Sequence, residues 1–254
     1  MSQIMPGGEP FFFPGNRTGC LLAHGFTAAT QEVRELGEFL ARAGYSVLGV
    51  RLAGHGTHWQ DLARTRWTDW LASLEDGYYL LREGCDQIVL LGSSTGGDLS
   101  LMLAAQLPVA GVVTMSAPFQ LPPITALKIL YPILNPVSII LPRLKKGLPD
   151  WRDPAAADTR VQYDCYPLRA VREFGLMLKA MRPALGNVIV PTLLMHSRQD
   201  GFIPYGDMSH LAGALVNSNT STFTIEESNH IIPCDISRQK VFDQALQFVQ
   251  RLNE

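Results

Sequence analysis

Short apolar runs alternate along this chain with longer segments in which apolar residues recur every three or four positions. The short runs predict β-strands at residues 18–23, 46–50, 87–91, 109–115, 192–196 and 221–225. The longer segments predict α-helices at residues 31–43, 67–82, 95–107, 170–185, 205–216 and 235–252. In the first helix Val33, Leu36 and Leu40 share one face, and Gly44 ends it. This alternation predicts an α/β fold with a mainly parallel sheet flanked by helices.

One interval between predicted strands is too long for a simple connection. About 75 residues separate Met115 from Thr192, whereas a crossover between parallel strands needs about a dozen. The helix predicted at 170–185 can supply the crossover. Residues 119–168 are then an insertion after a strand end, on the side where open parallel sheets bind ligands. We therefore predict a core formed by residues 1–118 and 169–254, with 119–168 as a helical cap or lid.

Length, composition and charge indicate which broad class of protein this chain belongs to. The 254 residues are 46% hydrophobic and 17% charged, which is a globular balance. The net charge is −2 without a basic block, so we expect no nucleic-acid partner. Residues 121–141 are apolar over a length that could span a bilayer, but four prolines and Lys128 interrupt them. We predict a broken, mostly covered pair of helices there and no transmembrane segment. Monomer and homodimer both stay open.

The cysteines and the start of the chain bear on its compartment. Cys20, Cys85, Cys165 and Cys234 form no Cys-x-x-Cys pair and no zinc-like pattern with a histidine. The first residues, MSQIMPGGEPFFFPGN, lack the basic start and the apolar run of a secretory signal. We therefore expect free thiols in a reducing compartment, which predicts a cytoplasmic protein.

The stretch LLGSSTGG, residues 90–97, joins a predicted strand to a predicted helix. Within it Gly92, Ser94 and Gly96 fit the pattern Gly-x-Ser-x-Gly, in which a sharp turn lifts a serine hydroxyl above the sheet. Positions two before and two after that serine are crowded, so a Cβ at either would collide. If Ser93 were the nucleophile, those positions would carry the larger side chains of leucine and threonine. The spacing therefore selects Ser94.

A serine hydroxyl becomes a good nucleophile only when an oriented base takes its proton. Of the six histidines, His230 alone follows the last predicted strand, where this fold needs the base. Asp200 follows the preceding strand in HSRQDGFIP and suits the orienting acid. Glu226 and Glu227 are too close to His230 in sequence to be favoured. The chain order Ser94, Asp200, His230 is that of a nucleophile-elbow hydrolase.

Several other polar residues have structural interpretations. We expect His196, at a strand end, to be packed or hydrogen-bonded, and His210, within a helix, to face solvent or a satisfying partner. Asp98 lies one turn into the helix after the elbow, where a carboxylate complements the helix dipole. His55 and His58 lie close together in RLAGHGTH, but no carboxylate or cysteine completes a ligand set. We therefore expect no metal site.

Acyl transfer also needs hydrogen-bond donors for the developing oxyanion. The backbone N–H of Thr95, at the N-terminus of its helix, is one candidate. The second should come from the loop after the first core strand, LLAHGFTAAT, where the turn at His24 and Gly25 exposes the N–H of Phe26. His24 is expected to brace this loop rather than to react.

Taken together, the segments LLAHGFTA, GYSVLGVRLAGHGTHWQDL, TDWLASLEDGY, GSSTGG, HSRQDGFIP and SNHIIP resemble those of bacterial carboxylesterases and monoacylglycerol lipases of the α/β-hydrolase fold. The resemblance runs from Thr18 to the C-terminus and is weakest over 119–168. It implies a serine hydrolase of carboxylic esters that uses no cofactor. The site residues it implies are Ser94 as nucleophile, Asp200 as acid, His230 as base, and Phe26 and Thr95 as oxyanion amides.

The sequence departs from this family at two positions. The residue after the nucleophile is often Met, Leu or Gln in the relatives, and here it is the smaller, polar Thr95. The backbone donor survives this change, whereas the shape of the acyl pocket stays open. Arg51 stands where many α/β hydrolases have an aspartate, although the pattern R-L-x-G-H-G around it still fits the group.

The predicted cap should select the substrate. Its apolar side chains would otherwise expose a patch of roughly several hundred Å², so we expect them to line an acyl pocket or to pack on the core. Weak lipid contact through the cap stays open. These residues are Ile124, Leu127, Ile129, Leu130, Tyr131, Ile133 and Leu134. We expect short- to medium-chain acyl esters, with monoacylglycerols among them. The alternatives are C–C hydrolysis or perhydrolysis on the same fold, and a low-turnover small-molecule receptor.

Overall fold

A seven-stranded sheet forms the centre of the structure, a computed structural model that describes residues 3–122, 134–147, 152–153, 156 and 160–252. Its strands are β1 Phe11–Phe13, β2 Thr18–Ala23, β3 Ser46–Val50, β4 Gln87–Ser93, β5 Gly111–Met115, β8 Thr192–Ser197 and β9 Thr220–Ile225. Their spatial order is β1-β3-β2-β4-β5-β8-β9, and every neighbouring pair is parallel except β1 with β3. A separate antiparallel pair joins β6 Arg143–Lys145 to β7 Cys165–Pro167.

Helices cover both faces of this sheet. They are α1 Gln31–Arg42, α2 Trp59–Leu62, α3 Trp67–Arg82, α4 Thr95–Ala104, α5 Leu134–Ile140, α6 Leu168–Ala184, α7 Gly206–Ala214 and α8 Arg238–Arg251. Helices α3, α4, α6 and α7 contribute to the core on one face, and α1 and α8 to the core on the other. The central strands are buried along their whole length, which is why they are apolar without alternation. The predicted fold class is confirmed.

Helix α1 shows how the sequence pattern becomes packing. Val33, Leu36 and Leu40 are fully buried against the sheet, and each such side chain contributes about 1.5–3 kcal/mol of burial. The helix is followed by Gly44, whose φ of +97° is in the left-handed region that favours glycine. This turn redirects the chain into β3.

All the predicted strands and helices occur, with ends that differ by at most three residues. The sequence pattern missed β1, because its three residues, between Pro10 and Pro14, form a shorter run than the apolar segments that indicate strands. Its pairing with β3 sets Phe11 opposite Gly49, where a Cβ would lie 2.2 Å from the Phe11 ring. The short edge strand is therefore held by an aromatic ring lying over a glycine.

The order of the strands determines where loops meet. From β2 the chain passes to β3 on one side and then to β4 on the other, so the carboxyl ends of β2 and β4 are neighbours, with Ala23 opposite Gly92. Strands β8 and β9 end farther along the same edge. The loops after β2, β4, β8 and β9 therefore meet at the position where open α/β sheets bind ligands.

The range 119–168 contains helix α5 and the pair β6–β7 among its described residues. Helix α6 supplies the crossover from β5 to β8, as the sequence predicts. The division into core and cap stays a prediction. The apolar residues proposed for the acyl pocket at positions 124–133, and the side chain of Leu134, lie outside the described part of the chain. Within the residues that are described, no helix combines the length and the apolar character needed to cross a bilayer.

Candidate active site

The turn from β4 into α4 carries Ser94. Its φ of +50° and ψ of −120° form a backbone conformation that costs a non-glycine residue about 1–3 kcal/mol. A Cβ at Gly92 would lie 2.1 Å from the carbonyl oxygen of Gly96, so glycine is required there. A Cβ at Gly96 would lie 2.3 Å from the carbonyl oxygen of Ala23. The crowding at Gly96 thus comes from β2, and not only from the turn itself.

The two adjacent serines have different surroundings. The Oγ of Ser94 lies 3.0 Å from Nε2 of His230. Ser93 is the last residue of β4 and is buried, and its Oγ has no hydrogen-bond partner among the described residues. Only Ser94 is therefore placed for proton exchange with this histidine.

His230 lies in the loop after β9 and connects Ser94 to Asp200. Its Nδ1 is 2.8 Å from Oδ2 of Asp200, in the loop after β8. Because Asp200 accepts at Nδ1, the neutral ring carries its proton there and leaves Nε2 free to take one from the serine. The three residues that the sequence nominated thus form a continuous hydrogen-bonded chain.

Asp200 is held as a carboxylate by its surroundings. Burial opposes its ionisation, but the charge of His230 and a hydrogen bond from His196 outweigh that effect, so the pKa of Asp200 lies well below its ordinary value. Its other oxygen, Oδ1, accepts the N–H groups of Phe202 and Ile203, each at 2.8 Å. These bonds fix the carboxylate relative to the histidine ring.

His196 has a role that sequence reasoning found only in outline. It is buried and hydrogen-bonded, as predicted, but its Nε2 lies 3.2 Å from Oδ2 of Asp200 and 3.3 Å from the carbonyl of Ile203. Both neighbours are acceptors, so Nε2 carries a proton that it shares between them. The segment HSRQD indicates this contact, because His196 ends the predicted strand and lies only four residues before Asp200. His210, in contrast, is largely exposed, as expected.

The two candidate oxyanion amides border the elbow from different elements. Thr95 begins α4, and Phe26 follows the β2 turn. A Cβ at Gly25 would lie 3.3 Å from the Cβ of Ser94, so the two segments are in contact. In the described part of the chain, neither the N–H of Phe26 nor that of Thr95 has a protein acceptor. Both are therefore available to a ligand.

His24 braces this loop, as the sequence predicts. Its Nε2 accepts the N–H of Leu52 at 3.2 Å, so its Nδ1 carries the proton and donates to the carbonyl of Gly25 at 2.9 Å. Burial lowers the pKa of His24, and it lowers that of the neighbouring His55 further. Both rings are thus neutral and structural. No cluster of three or more metal-ligating side chains occurs within the described ranges.

A cavity of about 550 Å³ opens above the serine and the histidine, a volume in the range of roughly 300–1,000 Å³ found for ligand pockets. Its lining includes the aromatic Phe26, Tyr166 and Phe202 and the polar Lys146, Arg160 and Gln162. The Phe26 ring stacks on Phe174 with centroids 5.3 Å apart. The cavity thus combines aromatic side chains with cationic and amide groups, and the range 119–168 supplies Tyr166 as well as Lys146, Arg160 and Gln162.

A buried ion pair beside this cavity was not predicted from the sequence. Arg160 Nη2 lies 2.5 Å from one oxygen of Glu32, whose other oxygen accepts the N–H of Gly25 at 2.8 Å. These residues are far apart in the chain, and neither belongs to a motif. Only the folded chain brings them together.

One expectation about the elbow helix is wrong. Asp98 was expected to complement the helix dipole as a carboxylate, but it is fully buried, and both of its oxygens lack a hydrogen-bond partner in the described residues. Burial, reinforced by the nearby Asp207, raises the pKa of Asp98 well above its ordinary value. The buried site therefore disfavours the charged form through which a carboxylate would complement the dipole.

Comparison with known proteins places this geometry in a family. The model of the Hydrolase_4 family, described as "Serine aminopeptidase, S33", matches residues 15–236. The thermostable monoacylglycerol lipase of Bacillus sp. (strain H-257) is 30% identical, and the match covers 96% of this chain and 95% of that protein. The carboxylesterase of Bacillus subtilis (strain 168) is 28% identical over the full length of both chains.

A solved structure of similar shape agrees with these relatives. It comes from work on LipS and LipT, two metagenome-derived lipolytic enzymes, and superposes with a TM-score of 0.90 at 29% identity. The match covers 98% of this chain and 100% of the other. The elbow at Ser94 stands on a sheet of the same architecture, as the sequence resemblance implied. The chain therefore belongs to the Hydrolase_4 family of α/β hydrolases, in its group of bacterial carboxylesterases and monoacylglycerol lipases.

Proposed function

We propose that this carboxylic ester hydrolase works through an acyl-enzyme on Ser94, with His230 as general base and Asp200 as the acid that orients it. The observation that supports the roles most directly is the hydrogen-bonded chain, 3.0 Å from Ser94 Oγ to His230 and 2.8 Å from His230 to Asp200. Serine needs such a base to become nucleophilic, and the base needs a partner that fixes its tautomer.

Acylation begins when Ser94 Oγ attacks the ester carbonyl carbon and its proton passes to Nε2 of His230. Asp200 stabilises the resulting imidazolium without taking its proton. When the tetrahedral intermediate collapses, His230 gives the proton to the departing alcohol oxygen. The acyl group then remains bonded to the serine.

Deacylation repeats these steps with water. His230 removes a proton from a water molecule, which attacks the acyl carbon, and the proton returns to Ser94 Oγ as the carboxylic acid leaves. In both halves we assign the oxyanion to the N–H groups of Phe26 and Thr95. This assignment is supported by the position of both N–H groups beside the elbow and by their lack of a protein acceptor in the described part of the chain. Removing one such donor in a hydrolase costs about 10²- to 10³-fold in kcat.

We assign substrate selection to residues 119–168 acting as a cap. The assignment is supported by the lining of the cavity above Ser94, to which Lys146, Gln162 and Tyr166 contribute. The aromatic side chains suit an acyl chain of short to medium length, and the polar groups suit the alcohol, glycerol included. A series of p-nitrophenyl esters from about C2 to C16, together with a monoacylglycerol, measures this preference.

The same substrate series separates rival reactions on this fold. Peracid formation in the presence of peroxide would indicate perhydrolysis, and cleavage of a β-diketone would indicate C–C hydrolysis. A peptide amide belongs in the series because the family description names an aminopeptidase. Tight binding with negligible turnover of every substrate would indicate a receptor.

The roles of the two serines provide the decisive test of the mechanism. We expect Ser94→Ala to lower kcat/KM for a p-nitrophenyl ester by at least ~10³-fold, and Ser93→Ala to stay within about tenfold of the parent enzyme. Ser93→Ala is the matched control, since it removes the same atom one position away. Labelling by a fluorophosphonate, followed by peptide mass spectrometry, should locate the adduct on Ser94. The reverse pattern would refute the assignment.

We further propose weak contact with lipid through the cap and residence in the cytoplasm, as a monomer or a homodimer. Ile139 and Ile140, at the end of α5, are 79% and 89% exposed, which supports lipid contact. The four cysteines are free thiols, the form that a reducing compartment maintains. Flotation with liposomes tests lipid contact, and failure to float would refute it. Cell fractionation tests residence in the cytoplasm, and light scattering measures the oligomeric state.

A further inference from the structure

A buried ion pair between Glu32 and Arg160 holds the loop that carries Phe26, through a hydrogen bond to Gly25. The N–H of Gly25 donates to Glu32 Oε1 at 2.8 Å. The second oxygen of Glu32 is 2.5 Å from Arg160 Nη2. The His24–Gly25 peptide, one residue before the N–H of Phe26, is therefore linked through one carboxylate to a residue of the range 119–168.

The other side of the loop pairs with the same segment of chain. The carbonyl of Thr27 accepts the N–H of Tyr163 at 2.9 Å. Ala28 forms an antiparallel β-bridge with Gln162. The loop after β2 thus runs beside residues 160–163 as a short two-stranded contact, and both flanks of Phe26 depend on it.

Lys146 joins these two strands through its side chain. Its Nζ donates to Oγ1 of Thr27 at 2.7 Å and to Oε1 of Gln162 at 2.9 Å. The ammonium also lies 5.1 Å from the centroid of the Tyr166 ring, within the distance at which a cation is attracted by an aromatic face. Two hydrogen bonds and one cation–π contact therefore hold this charged group in place beside Thr27.

The residue that Lys146 contacts is conformationally strained. Thr27 has a φ of +61°, a conformation that costs a β-branched residue about 1–3 kcal/mol and persists only where neighbours impose it. Its Oγ1 donates to the carbonyl of Phe26 at 2.6 Å while it accepts from Lys146. One hydroxyl thus links the ammonium to the backbone of Phe26.

We propose that Lys146 is a positioning residue of the esterase reaction, which acts through Thr27 to hold the Phe26 N–H in the direction of the acyl oxygen. The inference rests on the proposed function, in which that N–H is an oxyanion donor. Without the ammonium, Thr27 can relax from its left-handed conformation and the adjoining peptide groups can rotate. Loss of the Lys146 contact would weaken the stabilisation of the transition state. It should therefore lower kcat and leave KM nearly unchanged.

The charge of Lys146 makes this positioning contact depend on pH. Burial and the nearby positive charge of Arg160 lower the pKa of Lys146 to about 7. The other titratable groups around it include Glu32, Cys165 and Asp164, each of which raises its pKa, and the phenol of Tyr166, whose ring faces the ammonium. Lys146 is charged below this pKa and neutral above it, so its hold on Thr27 weakens as the pH rises. We therefore expect kcat to fall on the alkaline side of this pKa, which gives the pH profile an alkaline limb.

Three variants test the inference. Lys146→Met should lower kcat by roughly tenfold, part of the ~10²- to 10³-fold loss that follows removal of a whole oxyanion donor, with KM changed by less than about twofold. Lys146→Arg should recover most of kcat and lose the alkaline limb, because arginine stays charged throughout this range. Lys179→Met, on the exposed face of α6, is the control and should behave as the parent enzyme.

An inhibitor that forms the oxyanion distinguishes positioning from a general loss of structure. An aryl trifluoromethyl ketone adds to the serine as a hemiketal whose oxygen occupies the oxyanion site. Its inhibition constant should rise in Lys146→Met by the same factor by which kcat/KM falls. A folded Lys146→Met with parental kcat, or with lower kcat and unchanged affinity for the ketone, overturns the inference.

The following outcomes separate this inference from other failures. Should Lys146→Met not fold, the alkaline limb decides instead, and an unchanged limb in Lys146→Arg overturns the inference. Should Ser94→Ala keep its turnover, the proposed function itself fails, whatever Lys146 does. Loss of turnover in Ser94→Ala together with normal kcat in Lys146→Met would refute the role of Lys146 alone.

Discussion

Replacement of Gly92 by alanine tests the elbow directly. The new Cβ would lie 2.1 Å from the carbonyl oxygen of Gly96, 2.2 Å from its carbonyl carbon and 2.3 Å from the nitrogen of Gly97. All three are backbone atoms, so no side-chain rotation can relieve the overlap. Van der Waals contact requires a further separation of about 1 Å, which only opening of the turn can provide. Ser94 lies between these residues and moves with them.

The expected loss of activity follows from that displacement. A shift of about 1 Å in a reacting group costs about 10²-fold in rate, and strain of this kind costs about 1–3 kcal/mol of stability. We therefore expect Gly92→Ala to lower kcat/KM for a p-nitrophenyl ester by about 10²-fold or more and to slow fluorophosphonate labelling in parallel. Gly186→Ala, where no atom lies within 4 Å of the new Cβ, is the matched control. Activity of Gly92→Ala within about threefold of the parent would refute the steric account of the elbow.

Two further predictions concern buried polar groups. His196→Leu should lower kcat/KM by roughly tenfold, because it removes a hydrogen bond to the carboxylate of Asp200. The exposed His210→Leu is its control, and equal effects of the two changes would argue against the role of His196. Asp98→Asn should raise Tm by about 2–4 °C at pH 7, the shift that about 1 kcal/mol produces in a chain of this size. The gain should be smaller at pH 5, because a carboxyl whose pKa is raised on folding destabilises the folded state increasingly as the pH rises above its pKa in the unfolded chain. An equal increase in Tm at pH 5 and pH 7, measured by thermal unfolding, would contradict this prediction for Asp98→Asn.

The elbow could be predicted because its constraint is local. Gly92, Ser94 and Gly96 lie within five positions, and the geometry of one turn relates them. The contact that crowds Gly96 comes from Ala23 in β2, and the spacing alone did not show it. The predicted strands and helices were confirmed for the same reason, since their apolar spacing reports burial of single elements. The edge strand β1 was missed because its stability depends on a partner: Phe11 lies over Gly49 only when β1 pairs with β3.

The charge state of Asp98 shows what local patterns leave out. Its position in the first turn of α4 favours a carboxylate when the helix is considered alone. The folded structure buries the side chain and places Asp207 nearby, and both effects favour the neutral acid. Burial by distant elements thus outweighs a favourable local dipole.

The sequence by itself predicted the order of strands and helices. It also selected Ser94 rather than Ser93 as the candidate nucleophile, and Asp200 and His230 as its candidate partners. These depend on periodicity, on the spacing of glycines and on position after a strand, all of which are properties of short segments. Only the tertiary structure decided which polar groups meet. It brings together Ser94 and His230 across 136 positions, Glu32 and Arg160 across 128, and Thr27 and Lys146 across 119. The physical reason is that hydrophobic patterning tells which residues are buried, whereas the partner of a buried polar group depends on strand order and on the paths of loops.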